Sequence, residues 1–169
     1  MYKRQKPEIL VAIRGLAGTS STTGLRSATV TKMEYVIGTT AATDFTAQEG
    51  SAQLDVRITY DEAVTVTGTP QLVIANGNES GAGQGDYTLS YEAGLSDANQ
   101  LMFRATSRSL SVGDVLTVGG SNIALNGGTI KDTASAAVDS SLVLSGLTAI
   151  THTVLSLIHI SEPTRPLHI

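Results

Sequence analysis

The stretch Leu54-Asp55-Val56-Arg57-Ile58-Thr59-Tyr60 decides the fold, because apolar and polar side chains alternate along it without a break. Successive side chains on a β-strand point to opposite faces, so the four apolar side chains share one face of such a strand. An apolar face opposite a polar one is typical of an antiparallel sheet with one buried side. We therefore predict a strand here that covers a hydrophobic core.

The same pattern recurs in both directions from this stretch. Tyr87, Leu89 and Tyr91 alternate with polar residues, and Leu101 and Phe103 face away from their neighbours. Shorter apolar or β-branched runs occupy residues 64–66, 72–74, 115–118, 123–125 and 142–144. Turn-forming residues separate these runs, and no segment keeps a 3.6-residue period over three turns. The sequence predicts an all-β, antiparallel sandwich of about seven to nine short strands.

Composition excludes several classes of protein. The 169 residues include no cysteine, which rules out a disulfide framework and thiol chemistry. The formal net charge is -4 and no basic cluster is present, so we expect no nucleic-acid partner. The apolar run Val154–Ile160 is far shorter than the about 20 residues of a membrane-spanning helix, so we expect no membrane insertion.

The two ends of the chain resemble translated sequencing adapters. Met1–Gln5 can be encoded as GTG TAT AAG AGA CAG, and Leu155–His159 as CTG TCT CTT ATA CAC, which is its reverse complement. Both strings resemble the transposon end used to tag DNA for sequencing. We expect residues 1–5 and 155–169 to be adapter-derived and exclude them from the fold prediction.

Two separated motifs, Tyr60–Leu72 and Leu125–Asp132, together resemble the bacterial and phage immunoglobulin-like repeats of large surface and virion proteins. The first is the stretch Tyr60–Leu72, in which an amphipathic strand ends in an acidic turn and Gly68-Thr69-Pro70 leads into the next strand. The second is Leu125–Asp132, which contains Asn126-Gly127-Gly128. The chain departs from the family after this motif, because Thr133–Val138 replaces the usual Gly-Asn-Ala stretch. The resemblance implies an immunoglobulin-like sandwich at a cell surface or on a virion, joined to neighbouring tandem domains.

This resemblance sets the expected domain boundaries. We predict the sandwich over residues 33–147, preceded by a flank over 6–32 and followed by the start of a linker over 148–154. Within the flank, Pro7–Leu16 is the candidate last strand of a preceding repeat.

The turn residues in the motifs have a local physical explanation. Pro70 lacks an N–H and is therefore suited to the first position of a strand, while Gly68 allows a sharp bend before it. Asn126 and Gly127 both tolerate positive φ, which predicts a tight turn. We expect Asp132 to bond the backbone of the loop that follows it.

The sequence offers little catalytic chemistry, and we predict that the protein is not an enzyme. Outside the adapter-like segments the only histidine is His152, which we expect to be solvated at the edge of the domain. The adjacent Asp61 and Glu62 point to opposite faces and do not form a catalytic carboxylate pair. The glycine-rich stretch Gly81–Gly85 lacks the Lys-Ser/Thr of a phosphate-binding loop, so we interpret it as a hairpin loop.

Calcium is the one cofactor that the sequence leaves open. Carboxylates at several predicted turns could meet at one end of the sandwich and supply oxygen ligands. The candidate ligands are Asp61, Asp86, Asp114 and Asp132. The alternative is that these aspartates are turn residues in solvent, since no Asp-x-Asp-x-Asp loop is present.

Two functions of different classes fit this sequence. The first is a structural spacer in a tandem array that holds a distal domain away from a cell or virion. The second is an adhesion module that binds a glycan or protein through loops at one end of the sandwich, with Gly77–Gly85 and Gly94–Asn99 as the candidate surface. Low aromatic content favours the spacer.

Overall fold

The computed structural model describes residues 27–42, 46, 53–77, 85–106, 110–133 and 138–156. These residues form an antiparallel all-β sandwich, as the alternation of apolar residues predicts. The ten strands are β1 (Val30–Ile37), β2 (Thr40–Ala42), β3 (Gln53–Tyr60), β4 (Val64–Thr67), β5 (Gln71–Asn76), β6 (Tyr87–Tyr91), β7 (Gln100–Thr106), β8 (Val115–Val118), β9 (Thr129–Asp132) and β10 (Ile150–Thr153). A 3₁₀ turn, Ala93–Leu95, follows β6.

The order of the strands matches that of an immunoglobulin constant-type domain. One half of the main sheet runs β6-β7-β3-β1-β2, and the other half runs β10-β8-β5. Without β2, these halves correspond to the four-stranded and three-stranded sheets of the immunoglobulin sandwich. Here β5 also pairs with β6, so the two halves are hydrogen-bonded into one continuous sheet of eight strands. The remaining two strands, β4 and β9, form a separate ladder.

The continuous sheet folds back on itself, so that β1, the strand next to its last, faces β10, its first strand, across the core. The ring of Tyr35 on β1 lies 4.6 Å from the ring of His152 on β10. Met33 on β1 packs so closely against Gly119, just after β8, that a β-carbon there would lie 2.4 Å from the methionine methyl. An isolated parallel bridge joins Thr46 to Leu155.

The interior of the sandwich has the composition that the alternation predicts. Leu54, Val56, Ile58 and Tyr60 on β3 are each at most 2% exposed, which confirms the predicted inward face. The central side chains from the other strands are Leu72, Ile74, Leu89, Leu101, Phe103, Leu116 and Ile130. The predicted runs at 123–125 and 142–144 are not strands, although Ile123 and Leu144 are buried in the same core.

The folded unit is longer at both ends than the predicted 33–147. Ala28 is fully buried in the core and β1 begins at Val30, so the last residues of the predicted flank belong to the sandwich. The predicted linker over 148–154 is wrong, because β10 pairs with β8 over four residues and Val154 is 1% exposed. The candidate strand Pro7–Leu16 and most of the adapter-like segments, 1–5 and 157–169, lie outside the described residues.

The two family-like motifs lie side by side and form the separate two-stranded ladder. Val64–Thr67 of the first motif pairs with Thr129–Asp132 of the second over four positions. Beyond the last pair, Gly68 and Gly128 meet so closely that a β-carbon on Gly128 would lie 2.1 Å from the carbonyl oxygen of Thr67. Only glycine allows such an approach of two backbones. Residues separated by some 60 positions therefore act as one structural unit.

The turn predictions within these motifs are confirmed. Gly68 has a φ of 68°, and Pro70 immediately precedes β5. Asn126 and Gly127 have φ angles of 47° and 79°, and the Gly128 N–H donates to the Leu125 carbonyl at 2.8 Å. These values describe a type I′ turn.

The strand directions place the start and the finish of the fold at opposite ends. Val30 at the start of β1 pairs with Tyr60 at the finish of β3, and we call this the proximal end. Through the antiparallel ladders, the finish of β10 pairs with the start of β8 at the other end, the distal end. The eight residues of β3 give the sandwich a length of about 26 Å along this axis.

Candidate functional site

The structure does not bring the four candidate calcium ligands together. Asp61 and Asp132 lie at the proximal end, after β3 and at the finish of β9. Asp86 and Asp114 lie at the distal end, before β6 and before β8. Within the described part of the chain, no group of three histidine, cysteine or acidic side chains is arranged to hold a metal ion. A shared calcium site made of these four residues is therefore inconsistent with the fold.

At the proximal end, Asp61 fastens the segment that leads into β1. Its carboxylate accepts hydrogen bonds from the Thr29 backbone N–H at 2.7 Å and from the Thr29 hydroxyl at 2.8 Å. The Asp61 N–H in turn donates to the Thr29 carbonyl at 3.0 Å. Asp132 is 3% exposed, and its N–H donates to the Val138 carbonyl at 2.8 Å, so the backbone of this residue holds the following loop.

At the distal end, Asp114 lies beside the segment that follows β10. Its buried carboxylate accepts from the Ser111 N–H at 2.9 Å and shapes the turn before β8. The backbones of Gly113 and Asp114 each form a 2.8 Å hydrogen bond with the backbone of Val154. Asp86 accepts from the Asn76 N–H at 3.1 Å and joins β5 to the start of β6. Asp61, Asp86 and Asp114 thus use their carboxylates to hold the local backbone.

Charged side chains are instead concentrated on the outer side of β1, β3 and β7. We call this set the charged face; its members are Lys32, Glu34, Asp55, Arg57 and Arg104. Arg104 donates to the two carboxylate oxygens of Asp55 through Nε and Nη2, each at 2.7 Å. The Glu34 carboxylate forms two ion pairs: its Oε1 lies 2.6 Å from Nη2 of Arg57, and its Oε2 lies 2.7 Å from Nζ of Lys32. Every charge on this face therefore has a partner of opposite sign in direct contact.

The Asp55–Arg104 pair is the most deeply buried part of the charged face. The Asp55 side chain is 0% exposed, and Gln53 donates a further hydrogen bond to it at 2.7 Å. The hydrogen bonds to Asp55 raise the pKa of Arg104 in spite of its partial burial, and the Asp55 and Glu92 charges act in the same direction. The guanidinium therefore stays charged and paired.

Glu34 is also held in its charged form. Burial alone would raise the pKa of its carboxyl, but hydrogen bonds and charges from Lys32 and Arg57 outweigh burial and leave the pKa below its ordinary value. This group is arranged to neutralise two cations, which is a structural role. A general acid would need the opposite shift in pKa.

His152 differs most from its prediction. It is 7% exposed, not solvated, because it points inward from β10 and lies against Tyr35. The alternation of Ile150, His152 and Val154 with threonines is the signal that could have identified the inward position of His152.

The buried tyrosines are neutral. Burial raises the pKa of Tyr35 and of Tyr60, so both phenols keep their protons.

The described parts of the two segments proposed as a recognition surface lie at opposite ends of the sandwich. Gly77 and Gly85, which bound the first segment, lie at the distal end before β6, and residues 78–84 are outside the described residues. Gly94–Asn99 follows β6 at the proximal end. The prediction that they share one surface is wrong, because the extended strand between them separates them by about 17 Å.

The described aromatic residues form no exposed platform. Tyr35, Tyr60, Tyr87 and Phe103 are buried, and Tyr91 is half-buried against Phe103. Sugar rings commonly stack on exposed aromatic faces, so this part of the chain lacks that means of recognition.

Comparison with known proteins identified no relative: no family model, curated protein or solved structure matches the chain. Within the described ranges, no helix has the length and apolar character to cross a membrane.

Proposed function

We propose that the chain is a non-catalytic spacer module of a larger cell-surface or virion protein, located outside the cell and joined to neighbouring domains of the same polypeptide. The observation that carries the proposal is the axial path of the chain. The fold starts at the proximal end and finishes at the distal end, so successive modules can follow one another in a line. Each such module adds about 26 Å to the reach of the array.

The contacts at both ends support this proposal. Asp61 fastens the chain to the proximal end through two carboxylate hydrogen bonds to Thr29. Gly113 and Asp114 fasten it to the distal end through two backbone hydrogen bonds to Val154. A force applied along the array enters the sandwich through these two sets of hydrogen bonds. The first set is anchored at the turn after β3 and the second at the turn before β8.

The sides of the sandwich also suit a spacer. The charges of the charged face are paired with one another, so they are not left to recruit a partner. On the outer side of β5, β8 and β10 lie only uncharged residues, namely Gln71, Val73, Ala75, Val115, Thr117, Thr151 and Thr153. The Thr117 and Thr151 hydroxyls bond each other at 3.0 Å across this side.

The competing function is adhesion through the proximal loop, where Leu95 is 47% exposed. A glycan array and a cell-binding assay on the purified protein separate the two functions. The spacer predicts no saturable binding, either by the natural chain or by the matched surface variant Leu95→Ser. Saturable binding that Leu95→Ser abolishes would overturn the spacer in favour of adhesion.

A further inference from the structure

The tip of the turn before β9 consists of an asparagine followed by a glycine in an exposed position. Asn126 and Gly127 are both exposed, and nothing lies within 4 Å of the place where a β-carbon on Gly127 would be. Asn126 is tied to the rest of the protein by one long hydrogen bond, from its Nδ2 to the Thr69 carbonyl at 3.4 Å. Within the described ranges, the Gly127 N–H has no hydrogen-bond acceptor.

This arrangement suits one covalent reaction that requires only water and hydroxide. After hydroxide removes its proton, the backbone nitrogen of Gly127 attacks Cγ of Asn126. The new N–Cγ bond forms as the Cγ–Nδ2 bond breaks, and Nδ2 leaves as ammonia after it takes a proton from water. The resulting five-membered imide adds water and opens at either carbonyl, which gives aspartate or isoaspartate. Glycine favours the attack because it has no β-carbon to obstruct the approach.

The chain contains a second Asn-Gly pair that serves as an internal reference. Asn76 is 7% exposed at the finish of β5, and its N–H donates to Asp86. The Gly77 N–H, which would be the attacking group, donates to the Val115 carbonyl at 2.8 Å. The Asn76-Gly77 pair therefore has a buried asparagine and a hydrogen-bonded glycine N–H. In the Asn126-Gly127 pair the asparagine is exposed, and the glycine N–H has no acceptor among the described residues.

We propose that Asn126 is a site of spontaneous deamidation in the folded protein and that Asn76 is protected. The consequence falls on the ladder between β4 and β9. An aspartate at 126 loses the donor to Thr69 and turns a negative oxygen toward that carbonyl. An isoaspartate also adds a methylene to the backbone, directly beside the tight contact of Gly68 with Gly128. Deamidation thus loosens the pairing of the two motif segments.

The test is to age the folded protein in mildly alkaline buffer and to follow both sites by peptide mapping with isoaspartate detection. We expect Asn126 to react about tenfold faster than Asn76, or more, because Asn76 reacts only when β5 opens locally. The rate at Asn126 should rise with pH, since hydroxide generates the attacking nitrogen. In concentrated urea the two rates should converge.

Asn126→Gly is the matched control. It keeps a residue that accepts positive φ and removes the reacting amide, so the signal at 126 should vanish while that at 76 is unchanged. Equal rates at the two sites in the folded protein would overturn the proposal. So would a folded protein in which Asn126 stays intact while the urea-unfolded chain reacts, because the turn would then be protective.

Discussion

Replacing Ile58 with aspartate is expected to unfold the sandwich at room temperature. Ile58 is 0% exposed at the centre of β3, and the substitution buries a carboxylate with no partner among apolar neighbours. Such a change lowers the free energy of unfolding by more than ~4 kcal/mol. This loss is comparable to the whole free energy of unfolding of a small domain. Far-UV circular dichroism with urea titration measures the loss.

The matched control is the next residue on the same strand. Thr59 points to the opposite side of β3, where an aspartate side chain reaches water. Thr59→Asp should therefore lower the free energy of unfolding by about 1 kcal/mol or less. Equal losses from the two variants would mean that the inward and outward faces of β3 are assigned wrongly.

Replacing Arg104 with methionine is expected to give the second-largest effect. Methionine keeps most of the side-chain volume but leaves the fully buried Asp55 carboxylate with Gln53 as its remaining side-chain hydrogen-bond donor. Removing one partner of a buried ion pair lowers the free energy of unfolding by about 3–5 kcal/mol, at least three times the effect of losing an exposed pair. Urea denaturation of Arg104→Met gives the value.

The double variant Asp55→Leu/Arg104→Met shows whether the loss comes from the unpaired charge. With both charges removed, the two apolar side chains can pack across β3 and β7, and most of the lost stability should return. If the double variant is no more stable than Arg104→Met alone, the pair stabilises the sheet by a route other than mutual neutralisation.

The parts of the fold that the sequence predicts are local. The alternation in 54–60 is enough to predict the inward face of β3, because successive side chains on a strand point to opposite faces. Gly68 and Asn126-Gly127 have their predicted positive φ because few other residues tolerate it. These properties depend on a few adjacent residues.

The parts that it does not predict depend on contacts between distant residues. Asp55 stands in the polar half of the alternation and should be solvated, yet Arg104 from β7 and Gln53 cover it. His152 and the rest of β10 follow an alternating pattern, but their closeness to an adapter-like sequence favours a linker at this position. The aspartates were candidate ligands because turns favour them, and only the strand order reveals that they lie at two ends.

The most direct test of the central claim is to pull single molecules along two different axes. The chain has no cysteine, so a pair of cysteines at positions 27 and 153 attaches the handles at the proximal and distal ends. A pair at positions 65 and 131, on paired residues of β4 and β9, provides the comparison. The pull between positions 27 and 153 loads the β1–β3 and β8–β10 ladders parallel to their strands, so the hydrogen bonds of each ladder share the force. The pull between positions 65 and 131 separates β4 from β9, so the hydrogen bonds of that ladder break one after another. The spacer account predicts a distinctly higher unfolding force along the axis. An axial force equal to or below that of the comparison pair would contradict it.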